Sequence, residues 1–360
     1  MEHISNIKMN KFKKILIIAL SGAGDVLMAT PIIRWLKKAF PKSQIDCIVM
    51  MGKASKKLLE NNPDVSNVTH FDFMKEGIFR SLLFCSKLRK EKYDLSITTY
   101  PQGRYHYSAV SFLIGAKKRI GFHYETHPIN LNKLFFHKTI NEDFKKHVVE
   151  HNLEVLKHLE ISIEKNPKTS YNLTKNSKSF ANNFFKKNNI KKAIVIHPGS
   201  GTLKNFILKR WLKERFAQLS YILAKKGYQI LLVGGKEENE LKESIISLSK
   251  LKKNKDIFNI NEEFNNSSAI ISKAKAVISN DSIIGHLSAA LNVPVISLFG
   301  PTSPENTSPY TKNKIVLCKR PTHIPPWKHG QKHITPEQAH SMSLISVNDV
   351  LNALNKFVKL

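Results

Sequence analysis

The stretch AVISNDSIIGHLSAALNVPVISLFGPT, residues 276–302, indicates how this chain folds. A short apolar run stops at Asn280-Asp281, and a helix-like segment then leads to a second apolar run and a Gly-Pro turn. This pattern predicts a strand, a polar loop, a helix and another strand of a parallel sheet. Asp281, Ser282 and the start of the helix then lie at the carboxyl end of a strand, where open α/β sheets bind ligands. Because a helix N-terminus attracts anions, the stretch predicts a site for a phosphorylated ligand.

Strand-like and helix-like segments also alternate through the rest of the chain. Residues 14–20 are predicted to form a strand and residues 26–40 a helix, and the alternation continues to about residue 122. Residues 141–189 are polar and helical, and we interpret them as the interdomain region. The alternation resumes with a strand at 193–197. This order indicates parallel sheets with right-handed crossovers.

The predicted fold class is therefore α/β, with two Rossmann-like domains whose parallel sheets face a central cleft. We place an N-terminal domain at residues 1–175 and a C-terminal domain at residues 176–345. Residues 346–360 are predicted to form a C-terminal helix that packs back toward the N-terminal domain.

The composition narrows the class of partner. The chain has 360 residues, enough for two domains, and carries a net charge of +29. Such a charge attracts nucleic acid, an anionic membrane surface or acidic small molecules, unless it only reflects a genome rich in Lys and Asn. No basic run is interleaved with aromatic residues, and the sequence contains no nucleic-acid-binding motif. We therefore expect peripheral contact with an anionic membrane surface and no nucleic-acid partner.

Cysteine use and hydropathy favour the cytoplasm. Cys47, Cys85 and Cys318 lie far apart and imply no disulfide framework, as expected in a reducing compartment. The apolar runs are too short to cross a bilayer, and residues 1–14 lack the apolar core of a signal peptide. We expect a cytoplasmic protein that is peripheral at the inner face of the cytoplasmic membrane.

A tight loop, SGAGD at residues 21–25, follows the first predicted strand. Gly22 and Gly24 let the backbone approach a ligand closely. Asp25 lies at the head of a helix, where a carboxylate serves as a helix cap or as a base facing a ligand. A dinucleotide fingerprint is disfavoured, because Leu27 stands where G-x-G-x-x-G requires its third glycine.

A second loop, HPGSG at residues 197–201, lies between a strand and a helix in the C-terminal half. Its consecutive N–H groups can cradle a diphosphate, and Ser200 and Thr202 add hydroxyl donors beside Gly201. The alternative is an ordinary strand–helix loop.

Four segments, in this order along the chain, resemble glycosyltransferase family 9, the ADP-heptose:lipopolysaccharide heptosyltransferases. The family is similar to other GT-B enzymes, with the nucleotide sugar in the C-terminal half and the acceptor in the N-terminal half. The resemblance implies inverting, metal-independent transfer of a heptose or related sugar from an ADP-sugar to a lipopolysaccharide core saccharide, without a cofactor. The segments are ILIIALSGAGDVLMATPIIRWLKKAFP (15–41), VIHPGSGTLKNFILKRWLKERFAQL (195–219), LLVGGKEE (231–238) and NDSIIGHLSAALNVPVISLFGPTSP (280–304), with a weaker match at 342–354.

The resemblance places acceptor chemistry in the N-terminal half. Asp25 matches the family's aspartate that takes the proton of the acceptor hydroxyl. We assign Gly24 and Arg104 to acceptor binding. Arg104, in a loop after a predicted strand, suits an anionic group such as a Kdo carboxylate or a phosphate, and otherwise is an ordinary loop arginine.

In the C-terminal half the resemblance implies contacts with the donor diphosphate and ribose. Lys209 matches the family's lysine before a tryptophan, which neutralises the departing diphosphate. Lys204 or Arg210 remain alternatives for that role, and a merely solvated Lys209 also remains open. Glu237, or its neighbour Glu238, matches the acidic residue that binds the ribose hydroxyls.

The last cluster completes the implied donor site. By resemblance Asp281 holds sugar hydroxyls, Ser282 binds the phosphate end and His286 donates to phosphate, unless it is a buried histidine that pins the helix. Ile283 stands where the family usually has glycine. This departure leaves open a different donor, an impaired enzyme or a non-catalytic sugar-binding relative. Among enzymes, a different GT-B transferase that acts on a protein or another glycan also remains open.

A metal site is not predicted. The cysteine and histidines near the C-terminus match no standard zinc spacing. These residues are Cys318, His323, His329 and His333.

Overall fold

The computed structural model describes residues 11–124, 132–163, 167–201, 203–327, 331 and 333–360. The chain divides into two compact units, unit 1 at Met1–Asn172 and unit 2 at Leu173–Leu360. The division thus falls slightly before the boundary that the sequence analysis sets after residue 175. Each unit is built on a six-stranded parallel sheet with helices, and the predicted α/β class with two Rossmann-like domains is confirmed.

Unit 1 alternates strands and helices. Its strands are β1 (Lys14–Ala19), β2 (Gln44–Val49), β3 (Asn67–His70), β4 (Leu95–Thr98), β5 (Lys118–His123) and β6 (Lys138–Asn141). Its helices are α1 (Ala23–Met28), α2 (Thr30–Ala39), α3 (Gly52–Leu59), α4 (Gly77–Arg89), α5 (Tyr105–Ile114), α6 (Asn132–Phe135) and α7 (Val148–Leu153), followed by a 3-10 helix (Glu154–Leu159). The strand order is β3-β2-β1-β4-β5-β6.

The strand order divides the helices of unit 1 between the two faces of its sheet. From β1 the chain moves outward to β2 and β3, and it then returns across the sheet to β4, β5 and β6. Right-handed crossovers therefore put α1 to α3 on one face and α4 to α6 on the other. In agreement, α4 packs against α5, and α5 packs against α6.

Unit 2 repeats the alternation. Its strands are β7 (Ala193–His197), β8 (Gln229–Leu232), β9 (Ile257–Asn259), β10 (Ala276–Asn280), β11 (Val295–Phe299) and β12 (Lys314–Cys318), in the order β12-β11-β10-β7-β8-β9. Its helices are α8 (Lys175–Lys187), α9 (Lys213–Lys225), α10 (Asn239–Ser249), α11 (Phe264–Ile271), α12 (Ile283–Ala290), α13 (Pro304–Thr307), α14 (Pro336–His340) and α15 (Val347–Leu354), with 3-10 helices at Leu203–Lys209, Lys236–Glu238 and Ser341–Leu344.

The central strands of both units are buried along nearly their whole length. Every residue of β7, β10 and β11 is buried, and only the first residue of β1 is partly exposed. Helices cover both faces of a parallel sheet, so its strands are apolar throughout rather than alternating. This is why continuous apolar runs predict these strands.

Two helices differ from their predicted extents. The helix expected over residues 26–40 is two helices, α1 and α2, with Ala29 between them. The C-terminal helix ends at Leu354, and Val350 and Leu354 are buried in the core of unit 2, where α15 packs against α9. Within the described residues, no helix is both long and apolar enough to cross a membrane.

Candidate active site

The loops that follow β1 and β4 share one edge of the unit 1 sheet. The two strands are adjacent and parallel, with Ile15 opposite Leu95 and Ile18 opposite Thr98. The carboxyl ends of adjacent parallel strands meet at the same edge. The loop after β1 leads to Asp25, and the loop after β4 leads to Arg104.

The side chain of Asp25 helps to start α1. Asp25 is the third residue of the helix, and its Oδ2 accepts a hydrogen bond of 3.0 Å from the backbone N–H of Gly22. This interaction satisfies a donor that the helix start would otherwise leave unpaired, so α1 begins at Ala23. The carboxylate remains half-buried at the sheet edge, while Gly24 lies inside the first turn. Helix capping and service as a base are therefore compatible roles.

Two buried tyrosines lie within electrostatic reach of Asp25. The Tyr100 hydroxyl donates to Glu142 Oε1 at 2.9 Å, and the Tyr124 hydroxyl accepts from the backbone N–H of Gln102 at 2.5 Å. Burial raises the pKa of both phenols, and the negative charges of Glu142 and Asp25 raise it further. Both phenols are therefore neutral near pH 7 and form a rigid polar part of this edge.

Arg104 is exposed at the N-cap of α5. Its Nη1 lies 3.8 Å from the sulfur of Met74. The guanidinium that the sequence analysis assigns to an anionic acceptor group is therefore exposed at the carboxyl edge of the sheet.

Four adjacent strands bring the predicted donor residues together in unit 2. The strands β11, β10, β7 and β8 are neighbours, so the loops that follow them meet at one edge. The loop after β7 is the HPGSG segment, the loop after β10 carries Asp281 and Ser282, and the loop after β8 carries Glu237 and Glu238.

Lys209 and Asp281 form a buried ion pair. The Lys209 ammonium lies 2.6 Å from Asp281 Oδ2, and their side chains are only 11% and 9% exposed. Thr302 Oγ1 donates to the same carboxylate oxygen at 2.8 Å. Burial opposes ionisation of Asp281, but the Lys209 charge and the two hydrogen bonds outweigh it and hold its pKa below the ordinary value. Lys209 and Asp281, both assigned to donor binding from the sequence, thus neutralise each other's charge.

The neighbouring cation, Arg210, supports the loop after β7. Its Nε donates to Ser200 Oγ at 3.2 Å, and its Nη2 donates to the Ser200 carbonyl oxygen at 3.2 Å. The Ser200 hydroxyl in turn donates to the carbonyl oxygen of Phe206 at 2.8 Å. Arg210 therefore shapes this loop, and Gly201 is exposed beside it. Thr202 and the side chain of Lys204 lie outside what the structure describes.

His197 links the loops after β8 and β10. One ring nitrogen lies 2.9 Å from Ser282 Oγ and the other lies 3.1 Å from Glu238 Oε2. Glu238 also accepts from the backbone N–H of Gly235 at 3.0 Å, and Arg210 is 3.9 Å from its other oxygen. Burial alone would raise the pKa of Glu238, but these partners lower it, so it is a charged structural group.

The two glutamates after β8 therefore differ in position. Glu238 is buried in the His197 contact, whereas Glu237 is exposed at the sheet edge. A Cβ added at Gly199 would lie 1.6 Å from Glu238, and one at Gly234 would lie 2.4 Å from it. The glycines at these two positions are thus explained by room for Glu238, while the Glu237 side chain is exposed.

His286 and Ile283 lie in α12. His286 is buried, and its Nδ1 has no hydrogen-bond partner among the described residues. Burial lowers its pKa to about 4, although the charge of Asp281 acts in the opposite direction. Its imidazole is therefore neutral near pH 7. Ile283 is the first residue of α12 and is half-buried.

Sequence reasoning missed two features of this edge. Asn280 is fully buried and joins two loops, since its amide donates to the carbonyl oxygens of Pro198 and Gly199 and accepts from the N–H of Trp211. Phe206 packs edge-on against Trp327 and lies 4.2 Å beneath the Lys209 ammonium. A buried asparagine directly before Asp281 was a signal for the first feature, but the aromatic pair depends on the tertiary fold.

The described residues show no cluster suited to a metal ion. No three His, Cys, Asp or Glu side chains in that part of the chain are grouped to ligate one. Of the residues considered in the sequence, His329 lies outside the described ranges.

Comparison with known proteins identifies relatives over nearly the whole length. Residues 82–336 match the sequence model of Glycosyltransferase family 9 (heptosyltransferase). Lipooligosaccharide heptosyltransferase 2 of Haemophilus ducreyi is 28% identical over 317 residues, which cover 84% of this chain and 88% of that protein. Lipopolysaccharide heptosyltransferase 3 of Escherichia coli K12 is 27% identical over 356 residues, which cover 93% and 95%.

A solved structure agrees with the fold. The crystal structure of the glycosyl transferase family 9 from Veillonella parvula DSM 2008 superimposes with a TM-score of 0.78 at 23% identity, covering 97% of this chain and 98% of that one. These matches confirm the resemblance that the four sequence segments predict.

Proposed function

Because the chain belongs to glycosyltransferase family 9, the heptosyltransferase family, we propose that it transfers a heptose from ADP-heptose to a saccharide of the lipopolysaccharide core, with inversion at the anomeric carbon and without a metal or cofactor. Membership of this family confirms the prediction that the protein is a glycosyltransferase. The donor, the acceptor and the residue roles that follow are our proposal.

In the proposed reaction Asp25 acts as the general base. The acceptor hydroxyl oxygen attacks the anomeric carbon from the face opposite the diphosphate, the bond to the diphosphate oxygen breaks, and the hydroxyl proton passes to Asp25. The half-buried carboxylate at the edge of unit 1 supports this role, since a base must be held yet reachable. Gly24 lets the acceptor approach, and Arg104 binds an anionic group on it.

In unit 2 Lys209 and the start of α12 stabilise the departing ADP. As the bond breaks, negative charge grows on the diphosphate, and a fixed ammonium group and helix N–H groups offset it. Lys209 pairs with Asp281 at 2.6 Å. We infer that donor binding shares Lys209 with the diphosphate, while Asp281 accepts hydrogen bonds from the sugar hydroxyls.

The remaining donor contacts are assigned by position at the same edge. Ser282 and His286 bind the phosphate end beside α12. The backbone and hydroxyl groups at 200–202 cradle the diphosphate. Glu237, exposed after β8, binds the ribose hydroxyls.

One observation carries the proposal. The family match spans the donor segments of unit 2, and in that unit the family's lysine and aspartate positions, Lys209 and Asp281, meet at 2.6 Å although 72 residues separate them. The match also supports a cytoplasmic enzyme that works at the inner face of the cytoplasmic membrane, where its positive charge favours anionic lipid.

The test is direct transfer. The purified protein is incubated with ADP-heptose and a lipopolysaccharide core acceptor that lacks the added heptose, and ADP release and the acceptor mass are measured. We expect ADP release that requires the acceptor and a mass increase of one heptose residue. Transfer only from a UDP-, GDP- or CDP-sugar would disprove the donor assignment, and no transfer from any of them would indicate a non-catalytic relative.

A further inference from the structure

Helix α4 is apolar on two opposite faces. Its inner face includes Phe84, Cys85 and Leu88, which pack against the core of unit 1. The outer face consists of Ile78, Phe79, Leu82 and Leu83, which we call the α4 face and list here with their exposed fractions: 76%, 81%, 46% and 68%. A helix face made of large apolar side chains is normally buried against another element. The sheet covers only one side of α4, and among the described residues the other side is left exposed.

The positions of these side chains make them one continuous patch. Ile78 and Leu82 are four residues apart, as are Phe79 and Leu83, so each pair lies on the same side of the helix. Four large apolar side chains therefore project together into solvent. Isolated exposed apolar residues are ordinary, whereas a contiguous patch marks an interaction surface.

Two further exposed apolar side chains lie on the helical layer formed by α4, α5 and α6. Phe112 on α5 and Leu134 on α6 are 47% and 70% exposed. Within the described part of unit 1, all the large hydrophobic side chains that are exposed lie between Met74 and Leu134. On the opposite face of the sheet, the described residues of α1, α2 and α3 include no exposed large hydrophobic side chain. The exposure is therefore a property of one side of the unit.

Basic side chains surround the α4 face. Residues 74–90 contain five basic residues and one acidic residue, Glu76, which lies 2.8 Å from Arg80 in an ion pair. All five basic residues are exposed. They are Lys75, Arg80, Lys87, Arg89 and Lys90. An apolar helix face with basic residues around it has the composition of a segment that lies in the interface of an anionic membrane.

We propose that the α4 face is the membrane-docking surface of this protein, with its four apolar side chains inserted among the lipids and the surrounding lysines and arginines on anionic headgroups. A second copy of the chain fits less well, because two basic surfaces of a chain with net charge +29 would repel each other. The α4 face would be the site of the membrane contact included in the proposed function. Its role in docking does not depend on the transfer chemistry.

The test is co-sedimentation of the full-length protein with phosphatidylcholine vesicles and with vesicles that also contain phosphatidylglycerol. Wild type is compared with an Ile78→Ser/Phe79→Ser/Leu83→Ser variant. The control is Tyr221→Ser/Leu248→Ser, which removes two less exposed hydrophobic side chains, 44% and 46%, from α9 and α10 in unit 2. A Lys87→Glu/Lys90→Glu variant tests the charge.

We expect wild type and the unit 2 control to bind the anionic vesicles and to bind neutral vesicles weakly. The triple serine variant should lose at least about tenfold in partitioning, since each inserted side chain contributes burial free energy. The charge variant should lose its preference for anionic vesicles. Unchanged binding of the triple variant, or absence of wild-type binding to any vesicle, would overturn the proposal.

Two further measurements separate this proposal from its alternatives. If wild type is a dimer and the triple variant is a monomer that binds vesicles as wild type does, the α4 face is a subunit interface and the proposal is wrong. Transfer to a delipidated core oligosaccharide should be the same in wild type and the triple variant. An Asp25→Asn variant should bind vesicles like wild type, so a failed transferase assignment would leave the docking result standing.

Discussion

The carboxyl edges of the two sheets hold their candidate residues in different ways. In unit 2, side chains far apart in sequence bond to one another, as in Lys209 with Asp281 and His197 with Ser282 and Glu238. In unit 1, Asp25 is positioned by a helix turn through the N–H of Gly22, three residues away. Changes in the unit 2 network should therefore affect stability and ligand binding together. A change at Asp25 should affect chemistry with little effect on folding.

The largest expected effect is that of Asp25→Asn on turnover. Asparagine keeps the size of the side chain and an oxygen that can accept the Gly22 N–H, but it cannot take up a proton at neutral pH. We expect kcat to fall about a thousandfold, or about 4 kcal/mol in activation free energy. ADP release with saturating acceptor measures it.

The control for this variant is its thermal stability, which should match wild type because the helix start is preserved. A kcat within a few-fold of wild type would show that another group removes the acceptor proton.

In unit 2, Lys209→Ala should lower both the stability of the protein and its affinity for the donor. It leaves the Asp281 carboxylate nearly buried without its cation, which costs about 3 kcal/mol of unfolding free energy when a buried pair is broken. Denaturant unfolding and ADP-heptose titration should both show the loss. In Lys209→Ala/Asp281→Asn the charge is removed, so stability should recover in part while donor binding stays weak. Full stability in the single variant would mean that the pair does not support unit 2.

Because His286 is buried, it should make the free energy of unfolding depend on pH. Burial lowers its pKa to about 4, whereas a free imidazole titrates near 6.5. Between these values the unfolded chain binds a proton that the folded chain does not, so stability falls as pH decreases through this window. The expected contribution is about 2 kcal/mol between pH 7 and pH 5.

Urea unfolding of wild type and His286→Gln at both pH values isolates this contribution from the other histidines. The variant should lose less stability on acidification than wild type. Identical pH dependence in the two proteins would mean that His286 is not held neutral by its surroundings.

The smallest effect distinguishes the two glutamates after β8. Glu237→Gln should raise the KM for ADP-heptose about tenfold at unchanged stability, because the exposed side chain contacts only the ligand in our proposal. Glu238→Gln should lower the melting temperature, since it weakens the buried contacts with His197 and Gly235. The reverse pattern would exchange the two roles.

Sequence patterns predicted the central strands and the loops that follow them, because fully buried parallel strands are continuous apolar runs. They missed β6, β9 and β12 at the sheet edges, and β6 and β12 are partly exposed. The bounds of β7 and β11, Ala193–His197 and Val295–Phe299, agree with the predicted runs. The same patterns could not show that His197 and Glu238 would meet or that Asn280 would join two loops, because such pairs depend on which strands become neighbours.

Helix α4 shows a second limit. In a sequence, an apolar residue within a helix is ordinarily assigned to the core. Only the structure shows that Phe79 and Leu83 project away from it. The break between α1 and α2 at Ala29 had a signal in the sequence, because Pro31 lies in the first turn of α2, where proline favours a helix start.

We assign the general base to unit 1 and the donor-binding network to unit 2. Calorimetric titration of ADP-heptose, without acceptor, into Asp25→Asn and Lys209→Ala tests this division most directly. We expect Asp25→Asn to bind the donor within about threefold of the wild-type affinity and Lys209→Ala to bind it at least about tenfold more weakly. Loss of donor binding in Asp25→Asn, with wild-type affinity in Lys209→Ala, would contradict it.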